Sequence, residues 1–126
     1  MQRFNTPEAK GLRLPFSSAV RVGDLLFLSG AIGNLPGTLS LAAGGTAGEA
    51  RQAMENIGET LKHCGLGFAD IVKVTVMLAD MSEWAAFNAV YIESFAADAL
   101  PARSAFGCAG LALGARLEIE CVARFP

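Results

Sequence analysis

Two periodicities divide this chain. Apolar residues recurring every three or four positions imply a helix with one buried stripe, whereas short alternating or continuous apolar runs imply strands. Ala19–Val22 and Leu25–Leu28 are β-prone runs flanking Gly23-Asp24. A two-residue Gly-Asp link between such runs predicts a β-hairpin. The second run, Leu25-Leu26-Phe27-Leu28, is apolar at four consecutive positions, so both of its faces are expected to be buried. Residues 31–46 have no period and are rich in Gly, Pro and Ala, ending at Gly44-Gly45; they read as loop.

Thr46 followed three residues later by Glu49 has the form of a capping box, which predicts a helix beginning there. Ala50, Ala53, Met54, Ile57, Leu61 and Cys64 continue it as one apolar stripe, and Gly65 supplies the stop. Ile71 to Leu78 reads as a long strand, with Val72, Val74, Val76 and Leu78 on one face and Lys73, Thr75 and Met77 on the other. A second helix is expected from about Ser82 to Phe95, its inward stripe formed by Trp84, Phe87, Tyr91 and Phe95 as core packing. Two more strands follow, Ser104 to Cys108 and Arg116 to Arg124, separated by a Gly- and Ala-rich stretch. The glycines at 107, 110 and 114 lead into a strand, which does not fit a dinucleotide-binding loop, because that motif must open a helix.

The predicted order is therefore β-β-α-β-α-β-β in a single domain spanning residues 1–126, an α+β fold. Two helices can cover one face of such a sheet, and the other face must be solvated or buried against further copies of the chain. The last strand places Leu117, Ile119 and Cys121 on one face and Glu118 and Glu120 on the other. On an open sheet these are two solvated glutamates; in a subunit cleft each carboxylate needs a partner.

Composition shifts the balance toward assembly. The chain is 52% hydrophobic and only 17% charged, against roughly 25% charged in a typical soluble domain. Ten basic against twelve acidic residues leave a net charge of −2, and the basic residues form no run. That distribution argues against nucleic-acid and membrane-surface partners. Residues 1–5 carry no apolar stretch of the secretory kind and no segment reaches bilayer-spanning length, which points to a cytoplasmic protein. Cys64, Cys108 and Cys121 have no paired spacing and read as reduced packing residues. With one histidine, His63, placed at a helix end where a cap or dipole role suits it, no metal site is expected.

Several segments together carry a likeness. Pro101-Ala102-Arg103-Ser104-Ala105 resembles the P-A-R-S segment of the Rid, or YjgF, family of reactive-intermediate deaminases. Leu28-Ser29-Gly30, Glu49 to Asn56, Asp70 to Val76, Asn88 with Tyr91, and Leu117-Glu118-Ile119-Glu120 follow in family order. The resemblance runs from about Pro15 to the C-terminus. It implies a chorismate-mutase-like α+β fold, a homotrimer with a barrel-like core, and ligand sites in the clefts between subunits. It implies hydrolysis of 2-imino acids such as 2-iminopropanoate and 2-iminobutanoate, without a cofactor. By the same resemblance, Arg103 grips the substrate carboxylate and Glu118 activates water. Ser29 and Phe16 line the pocket, the backbone of Ala105 lies beside the imine, and Asn88 borders the cleft. A guanidinium suits the first task because it binds a carboxylate through two parallel hydrogen bonds.

The sequence also departs from the family pattern. Phe16 stands where a tyrosine is common, Ala31 where a glutamine is, and Gly33 where a proline is. Residues 105–111 lack the usual glutamate and arginine. A roomier, more apolar cleft is expected, suited to analogues longer than three or four carbons. The alternative function is a non-catalytic binder or sensor of 2-oxo acids in the same cleft. A nuclease role lacks a basic stripe.

Overall fold

A computed structural model describes all residues, Met1–Pro126. The hairpin forms as the pattern dictates: β2 (Ala19–Val22) pairs antiparallel with β3 (Leu25–Leu28), Val22 opposite Leu25. Gly23 turns the corner at φ 60°, a conformation open to glycine at no steric cost. Before it lie two elements absent from the predicted order, strand β1 (Gln2–Phe4) and helix α1 (Pro7–Leu12). Thr6 caps α1 by accepting from the Ala9 N–H at 3.3 Å, and Pro7 opens it. That local signal was present in Thr6-Pro7-Glu8. The apolar pattern missed it because α1 buries no residue.

The other elements are α2 (Gly45–His63), β4 (Ile71–Leu78), α3 (Trp84–Tyr91), β5 (Ala102–Gly107) and β6 (Leu117–Arg124). All six strands form one sheet in the order β1-β2-β3-β6-β4-β5. Only β4 and β5 run parallel, joined by the α3 crossover. Short 3₁₀ turns at Met81–Glu83 and Ile92–Ser94 flank α3, so the expected helix from Ser82 to Phe95 is one regular segment between two tighter ones.

The core lies between the sheet and the helices α2 and α3. Ala50, Ala53, Met54, Ile57 and Leu61 of α2 are buried with Val74, Val76 and Leu78 of β4 and Leu117, Ile119 and Cys121 of β6. Each fully buried aliphatic side chain of this kind contributes about 1.5–3 kcal/mol. Two local expectations are corrected. A register shift between Ile71 and Lys73 resets the alternation of β4, so Ile71 is buried and Val72 is exposed rather than in line with Val74. The capping box does not form either. Gly44, in the left-handed region, stands at the N-cap of α2 without a side-chain bond, and the Thr46 hydroxyl is buried and unpartnered. Glu49 is drawn elsewhere: its Oε1 accepts from the Arg116 N–H at 2.9 Å, and its carboxylate faces the Arg116 guanidinium.

The opposite face of the sheet has no helix. Leu25, Phe27 and Phe106 are exposed there, so Leu25–Leu28 is buried on one side only within a single chain. His63 is the last residue of α2, its ring edge-on to Phe4. No helix is long and apolar enough to cross a membrane.

Candidate active site

Arg103 lies on β5 opposite Val74 of β4, on the face covered by α3. That helix meets it with three side chains on one stripe. Asn88 Oδ1 accepts from the guanidinium at 2.8 Å. The Tyr91 ring centroid lies 4.8 Å from Cζ and that of Trp84 lies 5.2 Å away. The chain's ion pairs join Arg51 to Glu93 and Arg116 to Glu49 and Glu83, so the partly buried Arg103 has no carboxylate partner. Beside it is a cavity of about 340 Å³ bordered by Asn88, Tyr91, Leu100 and Pro101. A half-desolvated guanidinium next to an open cavity is suited to an incoming carboxylate. Burial pushes the Tyr91 phenol above its usual pKa, against the opposing influence of Arg103. Its hydroxyl has no hydrogen-bond partner.

Glu118 lies on β6 opposite Met77. It borders a larger groove of about 980 Å³ together with Phe16, Ser29, Gly30, Ala31 and Leu113. The strand reaches this position against residue 31, with Ala31 and Ile119 exchanging backbone hydrogen bonds at 2.8 and 2.9 Å. Gly30 makes the approach possible, since a Cβ there would collide with Oε2 of Glu118. Neither Glu118 nor Glu120 belongs to an ion pair. The Ser29 hydroxyl donates to the Ser17 carbonyl at 2.6 Å, so its proton is engaged while its oxygen still faces the groove. Phe16 is half exposed along the wall, and Leu113 stands in the left-handed region at φ 60°.

Five of the six predicted residues fall into two groups. Arg103 and Asn88 meet on the helix side, while Phe16, Ser29 and Glu118 gather in the groove. Ala105 lies on β5 two residues beyond Arg103, opposite Val76. Its strand is an edge of the sheet, where alternate main-chain groups face outward. In the register, β4 separates Arg103 from Glu118, and the two stand three positions apart along it. That is roughly 14 Å between Cα atoms, at ~4.8 Å per strand and ~3.3 Å per residue. An odd offset also sends the side chains to opposite faces. One chain therefore does not bring both groups onto one small substrate.

The pattern reading of the α3 stripe is refined here. Phe87 and Tyr91 are buried as core, but Trp84 is 39% exposed and turned to the guanidinium. A polar Asn88 inside an otherwise apolar stripe was the one sequence signal that this face serves more than the core. Cys64 and Cys121 are buried, and burial raises both thiols, pushing Cys121, with Glu120 beside it, up to about 12.

Comparison with known proteins extends over nearly the whole chain. Residues 6–125 match the family model described as Endoribonuclease L-PSP. The 2-iminobutanoate/2-iminopropanoate deaminase of Homo sapiens is 43% identical over 120 residues, covering 95% of this chain and 87% of that protein. Among solved structures, RidA from an Antarctic Psychrobacter superposes with a TM-score of 0.90 at 33% identity, over 99% of this chain and all of that one. TdcF from E. coli with bound serine gives a TM-score of 0.89 at 31% identity, with both chains fully covered.

Proposed function

Because the chain belongs to the Rid (YjgF) family, we propose that it hydrolyses 2-imino acids to 2-oxo acids and ammonia. The observation that carries this reading is the Arg103 guanidinium, held at one cavity without a carboxylate partner, in a chain that also presents Glu118 without an ion pair. Arg103 binds the substrate carboxylate through the part of its fork not used by Asn88. Glu118 accepts a proton from water as the C–O bond forms at the iminium carbon. It returns that proton to nitrogen as the C–N bond breaks. The carbinolamine hydroxyl proton leaves with ammonia as ammonium, and the 2-oxo acid remains. The iminium is already electrophilic, so the protein supplies placement and charge complementarity, without a cofactor.

The separation of the two groups within a chain gives assembly a catalytic purpose. We place the complete site between copies, with Arg103, Asn88 and the Ala105 backbone from one subunit and Glu118, Ser29 and Phe16 from the next. A ring of three head-to-tail contacts makes three such clefts and covers Leu25, Phe27 and Phe106. We place the protein in the cytoplasm, where its three free cysteines stay reduced. The groove beside Phe16 and Leu113 has room for side chains longer than methyl or ethyl. A second reading, a cleft that holds 2-oxo acids without turnover, draws on Ser29, whose hydroxyl proton is committed to the backbone.

The test is disappearance of 2-iminopropanoate and 2-iminobutanoate, generated in situ by an amino-acid oxidase. The wild-type protein accelerates loss of the imine, and Arg103→Ala lowers kcat/KM about 10²- to 10³-fold, the loss of a charged, two-bond contact. Equal rates for the two proteins would remove the reading. Tight 2-oxo acid binding with no acceleration would favour the second one.

A further inference from the structure

We propose that Trp84 is a positioning residue for Arg103: its indole, together with the Tyr91 ring, holds the guanidinium plane for a ligand carboxylate. The proposal rests on the preceding reading that Arg103 receives that carboxylate. Arg103 leaves β5 on a long, flexible stem, and Asn88 fixes only one of its terminal nitrogens. One hydrogen bond leaves the plane free to rotate about the bonded nitrogen. Two aromatic faces, 4.8 and 5.2 Å from Cζ, restrict that rotation through the attraction of a cation for a ring quadrupole. Trp84, Asn88 and Tyr91 succeed one another at steps of four and three, so a single helical stripe delivers all three contacts.

Burial alone does not account for this tryptophan. Phe87, on the same helix, is 1% exposed, whereas Trp84 leaves 39% of its surface outside the core. Its place at the first turn of α3 is also braced. Asp80 accepts from the Ser82 N–H at 2.9 Å, and the adjacent Glu83 accepts from Arg116 at 2.8 Å. Arg116 is held in turn by the buried Glu49. The indole therefore sits on a tied helix start beside the one guanidinium it contacts.

Trp84 is the only tryptophan in the chain, so its emission reports on the Arg103 site directly. The probe is 2-oxobutanoate, its affinity measured by calorimetry on the assembled protein. Trp84→Ala is expected to weaken binding about 3- to 30-fold and to raise KM for the imine by a similar factor, with a smaller change in kcat. Trp84→Phe, which keeps a ring face, stays within about twofold of wild type. Saturating 2-oxobutanoate alters Trp84 emission in the wild-type protein and leaves it unchanged in Arg103→Ala. The proposal is overturned if Trp84→Ala binds as tightly as wild type, or if Trp84→Phe loses as much as Trp84→Ala. Wild-type protein that binds 2-oxobutanoate but hydrolyses no imine removes the deaminase reading, and the variants' affinities then decide the role of Trp84. Failure of wild type to bind 2-oxobutanoate overturns the proposal, while the imine assay alone decides the deaminase reading.

Discussion

The Arg103 cavity and the Glu118 groove lie at two strands of one sheet, β5 and β6 on either side of β4, and differ in how much of the work one chain completes. At Arg103 a cation is gripped from three sides by one helix, through Asn88, Trp84 and Tyr91. Glu118 has a backbone glycine behind it and an open, mostly apolar groove in front. The first site fixes a cation that has no carboxylate partner in the chain. The second holds a carboxylate and lacks an opposing charge. The contrast teaches that the sheet acts as a partition. It puts the Arg103 guanidinium and the Glu118 carboxylate on opposite faces, and the proposed reaction joins them through a second copy.

The comparison breaks most visibly in mixed assemblies. Glu118→Gln lowers kcat about 10²- to 10⁴-fold, as loss of a general base does. Refolded one to one with Arg103→Ala protein, it recovers about a quarter of wild-type turnover, since one contact in four of a random head-to-tail ring joins intact Arg103 to intact Glu118. No recovery would assign both residues to the same subunit's site. Next in size is Gly30→Ala, whose new methyl displaces the Glu118 carboxylate without disturbing the Arg103 cradle. It lowers kcat about 10- to 100-fold while 2-oxobutanoate binding stays near wild type, the energetic equivalent of about 1.4–2.7 kcal/mol.

A third test concerns the partition itself, where Cys121, Val74 and Arg103 form one row across three strands. Burial raises the Cys121 thiol to about 12, so the folded state holds its proton more tightly than the unfolded one. The resulting stability is complete below the unfolded thiol's value and is lost as pH rises toward 12. Between pH 8 and roughly pH 10.5 this amounts to about 2 kcal/mol. Urea unfolding of wild type and Cys121→Ala at both pH values checks it: the variant starts less stable and loses less. The smallest effect is expected at Phe16→Tyr. A phenolic hydroxyl added to the groove raises kcat/KM for 2-iminopropanoate about 2- to 5-fold, the worth of one hydrogen bond. A gain that survives Glu118→Gln would show that it acts on binding alone.

Much of this architecture was legible in the chain. The Gly23-Asp24 hairpin, the α2 stripe and the alternation of Leu117 to Cys121 are local patterns, because helix and strand periods act over a few residues. Where local rules competed with distant partners, the distant partners prevailed. Glu49 had the spacing of a capping residue, but the backbone N–H and guanidinium of Arg116 were the stronger claim on its buried carboxylate. Val72 had the right parity for the core until a bulge, dictated by pairing with β6, turned it out. Trp84 looked like one more core aromatic because a helical stripe does not reveal which strand it will meet.

The amino-acid order by itself determined the α+β class, the single core and the residue types on which the proposed chemistry rests: one arginine in Pro-Ala-Arg-Ser and a pair of glutamates alternating with apolar neighbours. Only the tertiary structure decided that Arg103 faces α3 while Glu118 faces the groove. Strand order and register lie outside local sequence, since they follow from long-range pairing among β6, β4 and β5. A three-position offset across that pairing is what separates the two groups to opposite faces of the sheet.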